Sequence, residues 1–292
     1  MSSPVPDTSR LANSRLLLVL GLLMVDGLHF VFARLLLPHI SPGVSAMYVL
    51  GIGTVEVGLL GLVQGRLHFN RFRQSLWLFL ALGLLVGTST SINYQAVAFI
   101  DPGTASLLSQ TSILFGLGFG LFWLREKLSP LQVGGALLAV IGVCVITFQP
   151  GDYLRLGSLL VLGSAFLYAT HAALAKRYGG EMDFFDFFFF RLLCTTSVLF
   201  LFALGRGALA WPRAHVWPLL ALAGTIDVVV SRTLYYLALR RLRMSIHSIV
   251  LTASPVAAIL WSVFLFDTLP TTQQFLGGAA VLLGVLVVTR RK

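Results

Sequence analysis

The feature that most constrains this chain is its succession of uncharged apolar runs, each long enough to form a helix that crosses a bilayer. The run 103–124 contains no charged residue, and the charged group 125–127 ends it. A hydrocarbon core of about 30 Å requires a helix of about 20 residues. The Asp-Pro-Gly sequence at 101–103 predicts a tight turn before this run. Two antiparallel membrane helices joined by that turn are therefore the first prediction.

The composition indicates a membrane protein throughout. The chain is 57% hydrophobic and 11% charged, with a mean hydropathy of +0.88, which is not typical of a soluble domain. The net charge of +10 comes from basic residues placed between the apolar runs, a pattern that indicates membrane topology and not nucleic-acid binding. Cys144 and Cys194 lie inside apolar runs, as small buried residues do.

Charged residues, proline and glycine divide the chain into about ten predicted spans. The turns around the third, fourth, eighth and ninth spans are short, so their bounds are the least certain. We predict an all-α membrane protein with no separate soluble domain. The spans are residues 15–37, 43–65, 75–98, 103–124, 130–148, 156–176, 184–205, 214–238, 245–266 and 271–289.

Basic residues in the loops predict the orientation. With the N-terminus inside, every inner segment carries arginine or lysine, and basic residues in inner loops are typical of the cytoplasmic side. Both termini are then predicted in the cytoplasm, with the protein in a bacterial-type inner (plasma) membrane. This orientation requires an even number of spans. The outer segments hold only Arg34, Arg155, Arg206 and Arg213.

The two halves of the chain carry similar residues at one constant separation. His29 and His171 both precede alanine and a basic residue, and Tyr94 matches Tyr236 in the same way. Five spans in each half is an odd number, so the second half enters the membrane inverted. We therefore predict an inverted repeat of five plus five helices around a central cavity. The predicted units are a cytoplasmic tail at 1–14, a first repeat at 15–149 and a second repeat at 150–292.

A family resemblance rests on motifs that occur in both halves. Glu126-Lys127-Leu128-Ser129, followed by Gly-Gly-Ala-Leu-Leu, resembles the drug/metabolite transporter superfamily and more narrowly the EamA-type ten-helix exporters. The second half has Tyr236-Leu237-Ala238, Ser254-Pro255-Val256, Asp267 and Gly277-Gly278-Ala279-Ala280. Two departures are that span four lacks the usual proline and that Asp267 replaces the usual glutamate. The resemblance is greatest to YddG-type exporters of aromatic amino acids, which implies a solute of that class.

Polar and aromatic side chains inside the spans form the predicted substrate site. The small polar residues at helical spacing in spans four and nine are also typical of plain helix packing, and this alternative stays open. Aromatic faces with neutral hydrogen-bonding groups suit a ring-bearing zwitterion. The predicted substrate-binding residues are His29, Tyr94, Ser106, Gln110, Tyr168, His171, Tyr236, Ser248, Thr252 and Pro255.

Five charged residues fall within predicted spans and away from the span ends. Asp26 and Asp227 are candidates to carry a coupling proton, with a structural role as the alternative; Glu56 is a weaker candidate. Arg191 and Arg232 lie toward the inner ends of their spans, and we predict that they anchor the helices by extending to the interface.

The sequence indicates a transporter and not an enzyme. It contains no metal-ligand cluster, phosphate-binding glycine loop or cofactor domain, so no cofactor or metal is predicted. We predict export of small organic solutes, neutral or aromatic amino acids, by alternating access. The alternatives are a transporter of nucleotide sugars or phosphorylated solutes, and an intramembrane enzyme that uses Asp227 with His171. The expected partners are a small-molecule substrate and the lipid bilayer, without nucleic acid; the oligomeric state stays open.

Overall fold

The computed structural model describes residues 8–96, 109–148, 156–266 and 271–289, and the regular structure in these ranges is helical. In the first half, a π-helical turn at Phe119–Trp123 follows α5. The elements of this half are α1 (Thr8–Leu36), α2 (Pro42–Val63), α3 (Phe69–Gln74), α4 (Leu76–Ala96), α5 (Thr111–Gly118) and α6 (Pro130–Thr147).

The second half continues with seven further helices. A 3₁₀ turn at Ala214–Val216 precedes α9, and a π-helical segment at Gly224–Val230 joins α9 to α10. The elements are α7 (Leu156–Tyr178), α8 (Phe184–Gly205), α9 (Trp217–Ala223), α10 (Ser231–Arg241), α11 (Met244–Leu251), α12 (Ser254–Phe266) and α13 (Thr272–Thr289).

Local capping explains where two of these helices begin. Ser129 and Gln132 form a capping box at α6, in which the Gln132 N–H donates to Ser129 Oγ at 3.3 Å. Asp183 precedes α8 and accepts from the Phe185 N–H at 2.9 Å. A side-chain oxygen satisfies the N–H groups that the first turn of a helix leaves without a partner.

The protein is a multi-pass membrane protein. Six segments within the described ranges are long and apolar enough to cross a membrane: 43–63, 156–178, 184–205, 214–241, 244–265 and 272–289. Four shorter apolar helical segments, 17–28, 76–92, 111–123 and 130–146, lie among them. Large apolar side chains such as Phe122 (85% exposed) and Leu201 face outward, as lipid contact requires.

Three predicted spans are not the continuous α-helices that their hydropathy suggests. The eighth contains the π-helical segment 224–230, and the fourth ends in the π-helical turn 119–123. Each π segment adds one residue to a helical turn. The side chains that follow it therefore point in directions that differ from those of a continuous α-helix. The ninth is divided between α11 and α12, where Pro255 stands in the first turn of α12 and has no N–H to donate.

The helices of the two halves pack against one another. Helix α6 lies along α13, and α4 packs against α7 and α8. Helix α2 packs against α8, while α1 packs against α12. Phenylalanines of α8 fill the interior between these helices: Phe187, Phe188 and Phe190 are buried around Tyr236 and Phe79. The phenylalanine run of this helix therefore contributes to the core.

Glycines allow α6 and α13 to approach at backbone distance. A Cβ added to Gly142 would lie 2.7 Å from the Gly277 carbonyl oxygen, and one added to Gly277 would lie 2.7 Å from that of Gly142. A Cβ at Gly284 would lie 2.6 Å from the Gly135 carbonyl oxygen. Small residues drive helix association in membranes by permitting this contact.

The alanine substitution Gly277→Ala is expected to lower the thermal unfolding temperature of the detergent-solubilised protein. The added Cβ forces α6 and α13 apart, and overpacking of this kind costs about 1–3 kcal/mol. Gly134→Ala is the matched control, because its Cβ would meet nothing within 4 Å. Equal unfolding temperatures for the two variants would contradict this account of the interface.

Candidate functional site

A buried histidine joins α7 to α10. The Nε2 atom of His171 lies 3.1 Å from the Tyr236 hydroxyl, and its Nδ1 atom hydrogen-bonds to the Tyr168 carbonyl one turn earlier. His171 and Tyr236 are buried, whereas Tyr168 is half-buried. Three of the predicted substrate-binding residues therefore come together in one hydrogen-bonded group.

Aromatic rings surround this group. The Tyr235 ring lies 6.5 Å from the His171 ring in a stacked orientation, and the His247 ring of α11 lies 4.6 Å from it. The Phe187 ring meets the Tyr236 ring edge-on at 5.1 Å. Helices α7, α8, α10 and α11 thus bring ring faces and neutral polar atoms to one place. We name His171, Tyr235, Tyr236 and His247 the aromatic cluster.

Arg191 enters the aromatic cluster from α8, which corrects its predicted role. The side chain is 3% exposed, and its guanidinium lies 5.3 Å from the centroid of the Tyr236 ring. It does not extend to the interface, because α7 and α10 place His171 and Tyr236 around it. The prediction of an interfacial anchor was wrong for this residue.

Arg232 forms a second charged group one turn before Tyr236. Its Nη1 lies 3.5 Å from Asp26 Oδ1, and its Nη2 lies 3.9 Å from Asp227 Oδ1. Ser254 Oγ donates to the other oxygen of Asp26 at 2.7 Å. The interfacial prediction was wrong here as well, since Arg232 lies between two carboxylates from α1 and the π segment.

The third intramembrane acid, Glu56, has a different partner. The Thr225 hydroxyl donates to Glu56 Oε1 at 2.8 Å, joining α2 to the π segment. The three acids of the spans therefore do not gather at one site.

Ser248, a predicted residue of the ninth span, lies where α5 meets α11. It is buried, and a Cβ added to Gly116 would lie 2.4 Å from its Oγ atom. Thr252 is fully buried and donates to the Ile249 carbonyl at 2.6 Å. Gln110 directly precedes α5, and Pro255 is the second residue of α12.

Three predicted site residues are not described by side-chain contacts. His29 and Tyr94 lie on α1 and α4, but their side chains fall outside the described part of the structure, and Ser106 lies outside the described residues. Their roles remain predictions.

Sequence reasoning missed the contacts that hold the turn between α10 and α11. The Glu126 carboxylate accepts from the Met244 and Ser245 N–H groups at 2.6 and 2.8 Å, which caps α11. The Lys176 ammonium donates to the Leu239 and Leu242 carbonyls, each at 2.6 Å. The motif containing Glu126 was visible in the sequence, but its partner in the other half was not. We call the loops 124–129, 179–183 and 242–243 the basic end of the bundle.

An open cavity of about 510 Å³ lies at the basic end and not among the buried polar groups. It is lined by Phe122, Trp123, Leu124, Arg125 and Arg177. Among the residues that the structure describes, no three His, Cys, Asp or Glu side chains lie close enough to hold a metal ion.

Comparison with known proteins assigns the chain to a family. The sequence model of the EamA-like transporter family matches residues 13–148 and matches again at residues 155–290. The chain belongs to the EamA-like transporter family. This family is part of the drug/metabolite transporter superfamily. The double match shows that each half carries the same family unit.

Relatives in several bacteria are also named as transporters. YdfC of Bacillus subtilis (strain 168), an uncharacterized transporter, is 24% identical over 190 residues, which cover 64% of this chain and 62% of that protein. An uncharacterized transporter of Synechocystis sp. is 22% identical over 268 residues, covering 84% and 76%. A riboflavin transporter of Vibrio cholerae is 29% identical over 188 residues, covering 63% and 61%. The matched segments thus span about three fifths of the first and third of these relatives.

A solved structure shows the same fold. A crystal structure with 19% sequence identity superposes with a TM-score of 0.82, covering 94% of this chain and 97% of the other. At this identity the likeness concerns the fold alone.

Removal of the Arg232 charge is expected to destabilise the protein strongly. The variant Arg232→Gln leaves Asp26 and Asp227 without their cation, and breaking a buried ion pair in this way costs about 3–5 kcal/mol. Thermal unfolding in detergent measures the loss. The triple variant Arg232→Gln, Asp26→Asn, Asp227→Asn removes the uncompensated charges and should recover much of the stability. A triple variant no more stable than Arg232→Gln would contradict the ion-pair account.

Proposed function

We propose that this transporter exports small organic solutes, specifically neutral or aromatic amino acids, by alternating access. The observation that carries the proposal is the aromatic cluster, where ring faces and neutral hydrogen-bonding groups from four helices meet inside the protein. Rings of this kind stack on a ring-bearing solute, and the Tyr236 hydroxyl, which His171 positions, keeps the capacity for a further hydrogen bond.

We also propose an inverted repeat of five plus five helices, an arrangement that fits the alternating-access part of the proposal. Thr54 and Thr196 are 142 positions apart, and their hydroxyls lie 3.0 Å from each other. The same separation relates His29 to His171 and Tyr94 to Tyr236. Two equivalent residues come into contact when they lie on the two-fold axis that relates the halves. A substrate site near the middle of the membrane between such halves is typical of secondary transporters.

The glycine contacts of α6 and α13 fit the same axis. Gly135 and Gly277 are equivalent by this separation, as are Gly142 and Gly284. Gly142 contacts Gly277, and Gly284 contacts Gly135. When each glycine is exchanged for its equivalent in the other half, the first contact becomes the second. This reciprocal pattern is what a two-fold relation between the halves requires.

We propose that both termini lie in the cytoplasm, and cysteine labelling tests this topology. With Cys144 and Cys194 replaced by alanine, single cysteines at Phe69 and Ala208 are expected to react from opposite sides of the membrane. Both positions are exposed: Phe69 begins the short helix α3, and Ala208 lies in the loop that follows α8. Reaction of both cysteines from the same side would contradict the ten-span, inverted arrangement.

The charges of the site favour a neutral solute over a polyphosphate. Arg232 is already placed between Asp26 and Asp227. A nucleotide sugar would require several further cations to offset the loss of water around its phosphates. Beside the aromatic cluster, Arg191 is the described cation left to contribute.

The riboflavin transporter of Vibrio cholerae supports a second ring-bearing solute. Riboflavin is uncharged and planar, and the aromatic cluster provides faces on which an isoalloxazine ring would also stack. Riboflavin is therefore the competitor to include in a transport assay.

An intramembrane enzyme receives less support from the geometry. Such an enzyme would pair Asp227 with His171, but Tyr168 and Tyr236 occupy the two ring nitrogens of His171. Asp227 faces Arg232 instead. The acid–base pair that this alternative needs is not formed among the described residues.

Transport by purified protein in proteoliposomes tests the proposal directly. We expect accumulation of phenylalanine, tyrosine or other neutral amino acids from a panel that also contains alanine and riboflavin. The assay is run with and without a pH gradient, because we propose Asp26 and Asp227 as carriers of any coupling proton. If the Asp26→Asn and Asp227→Asn variants keep full accumulation driven by the pH gradient, neither residue carries the coupling proton.

Truncation of Tyr236 is expected to reduce transport of a ring-bearing amino acid more than transport of alanine. One lost stacking contact costs on the order of 1 kcal/mol, which is a several-fold effect. Tyr236→Phe keeps the ring, removes the hydroxyl that faces His171, and should retain the preference for aromatic solutes. Tyr178→Ala, at an exposed ring, is the control. An equal loss for both amino acids in Tyr236→Ala would mean that the tyrosine only holds helices together.

A further inference from the structure

Arg191 is a buried cation for which the described part of the chain provides no counter-ion. Its Nε and Nη1 atoms are buried and make no hydrogen bond in the structure. No carboxylate oxygen of the described residues lies within the 4.0 Å ion-pair distance of its guanidinium. A buried charge without a partner costs several kcal/mol in a medium of low dielectric constant.

The acids of the spans are committed elsewhere. Asp26 and Asp227 face Arg232, and Glu56 accepts from the Thr225 hydroxyl. The ring of Tyr236 stabilises the Arg191 guanidinium through its π face. This contact offsets only part of the cost of burial.

Other cations of the same region have the partners that Arg191 lacks. Arg240 also lies over aromatic rings, those of Phe184 and Phe187, but it donates to the Gly179 carbonyl at 2.7 Å. Lys176 donates to three carbonyl oxygens near the end of α10. Among these three cations, Arg191 alone has buried side-chain nitrogens without a hydrogen-bond partner.

We propose that Arg191 binds the carboxylate of the transported solute, which in an amino acid is the α-carboxylate; this inference rests on the proposed function. The planar guanidinium presents parallel N–H groups that match the two oxygens of a carboxylate. The Tyr236 ring under Arg191 and the Tyr235 ring beside His171 then contact the apolar part of the solute.

The single positive charge of Arg191 favours a solute that carries one carboxylate group. Arg191 lies against the Tyr236 ring of the aromatic cluster, and its charge neutralises one negative charge. A phosphate dianion would leave a second charge buried, since Arg232 is held by two carboxylates. An amide or an alcohol would leave the guanidinium without a counter-ion. Riboflavin, which has no carboxylate, is therefore expected to bind independently of Arg191.

Binding of 3-phenylpropionate and its amide by the purified full-length protein tests this inference. Thermal unfolding in detergent is expected to rise with the acid and not with 3-phenylpropionamide. Arg191→Gln should weaken binding of the acid about ten-fold or more, the effect of losing a charge-assisted hydrogen-bonded pair. Arg191→Lys keeps the charge without the planar fork and should give an intermediate affinity. Equal binding of acid and amide by the wild type, or unchanged binding of the acid by Arg191→Gln, would overturn the proposal.

The stability of the ligand-free variant separates binding from a structural role. Because Arg191→Gln removes an unpaired buried charge, its unfolding temperature without ligand should equal or exceed that of the wild type. Arg240→Gln removes a cation with a carbonyl partner, and its unfolding temperature should fall. A fall in Arg191→Gln as large as that in Arg240→Gln would show that Arg191 is a structural residue, and would overturn the inference.

Competition in proteoliposomes distinguishes the failure of this inference from failure of the proposed function. If amino acids are transported, phenylalanine should compete better than phenylalaninamide in the wild type and lose that advantage in Arg191→Gln. Transport in which both compounds compete equally in both proteins would keep the function and overturn the carboxylate site. If no amino acid is transported, an Arg191-dependent difference between 3-phenylpropionate and its amide still supports the site.

Discussion

The hydrocarbon interior provides no hydrogen-bonding partner, and the structure depends on how the protein meets this constraint with its own groups. The position of Arg232 between Asp26 and Asp227 is the main example. It joins α1 to the helices of the second half, and Ser254 extends the group to α12. Three elements that are distant in sequence are thereby fixed beside the aromatic cluster, so the charged group also positions the candidate site.

The membrane imposes the same constraint on the backbone. The π segment 224–230 and the division of the ninth span before Pro255 both occur where other helices of the protein pack against them. The π segment places Asp227 inward, and the break before α12 places Ser254 against Asp26. Irregular backbone is thus found next to the polar groups on which the proposed function depends.

Individual helices could be predicted from the sequence where their length and capping depend on neighbouring residues. Helix α8 has the predicted bounds 184–205, since Asp183 caps its start and Arg206-Gly207 follows its end. Contacts between the halves could not be predicted from the sequence, because they join residues that are far apart in the chain. Asp26 and Ser254, for example, are 228 positions apart. Arginine near the end of a span is typical of an interfacial anchor, and only the fold shows that Arg191 is enclosed. The π segments could not be predicted from the sequence. A helix that is apolar on most of its faces has no clear hydrophobic periodicity that an extra residue would shift.

The turn between α10 and α11 is held at both helix ends by charges from other helices. Glu126 takes the first N–H groups of α11, and Lys176 takes the last carbonyls of α10. If the exported solute enters from the cytoplasm through the basic end, these bonds must break together, because the two-residue connection makes α10 and α11 move as one body. The energy barrier to that movement is present in the protein with and without solute. The opening of this group of contacts would then set the turnover rate, and solutes that bind with different affinity would be exported at similar rates.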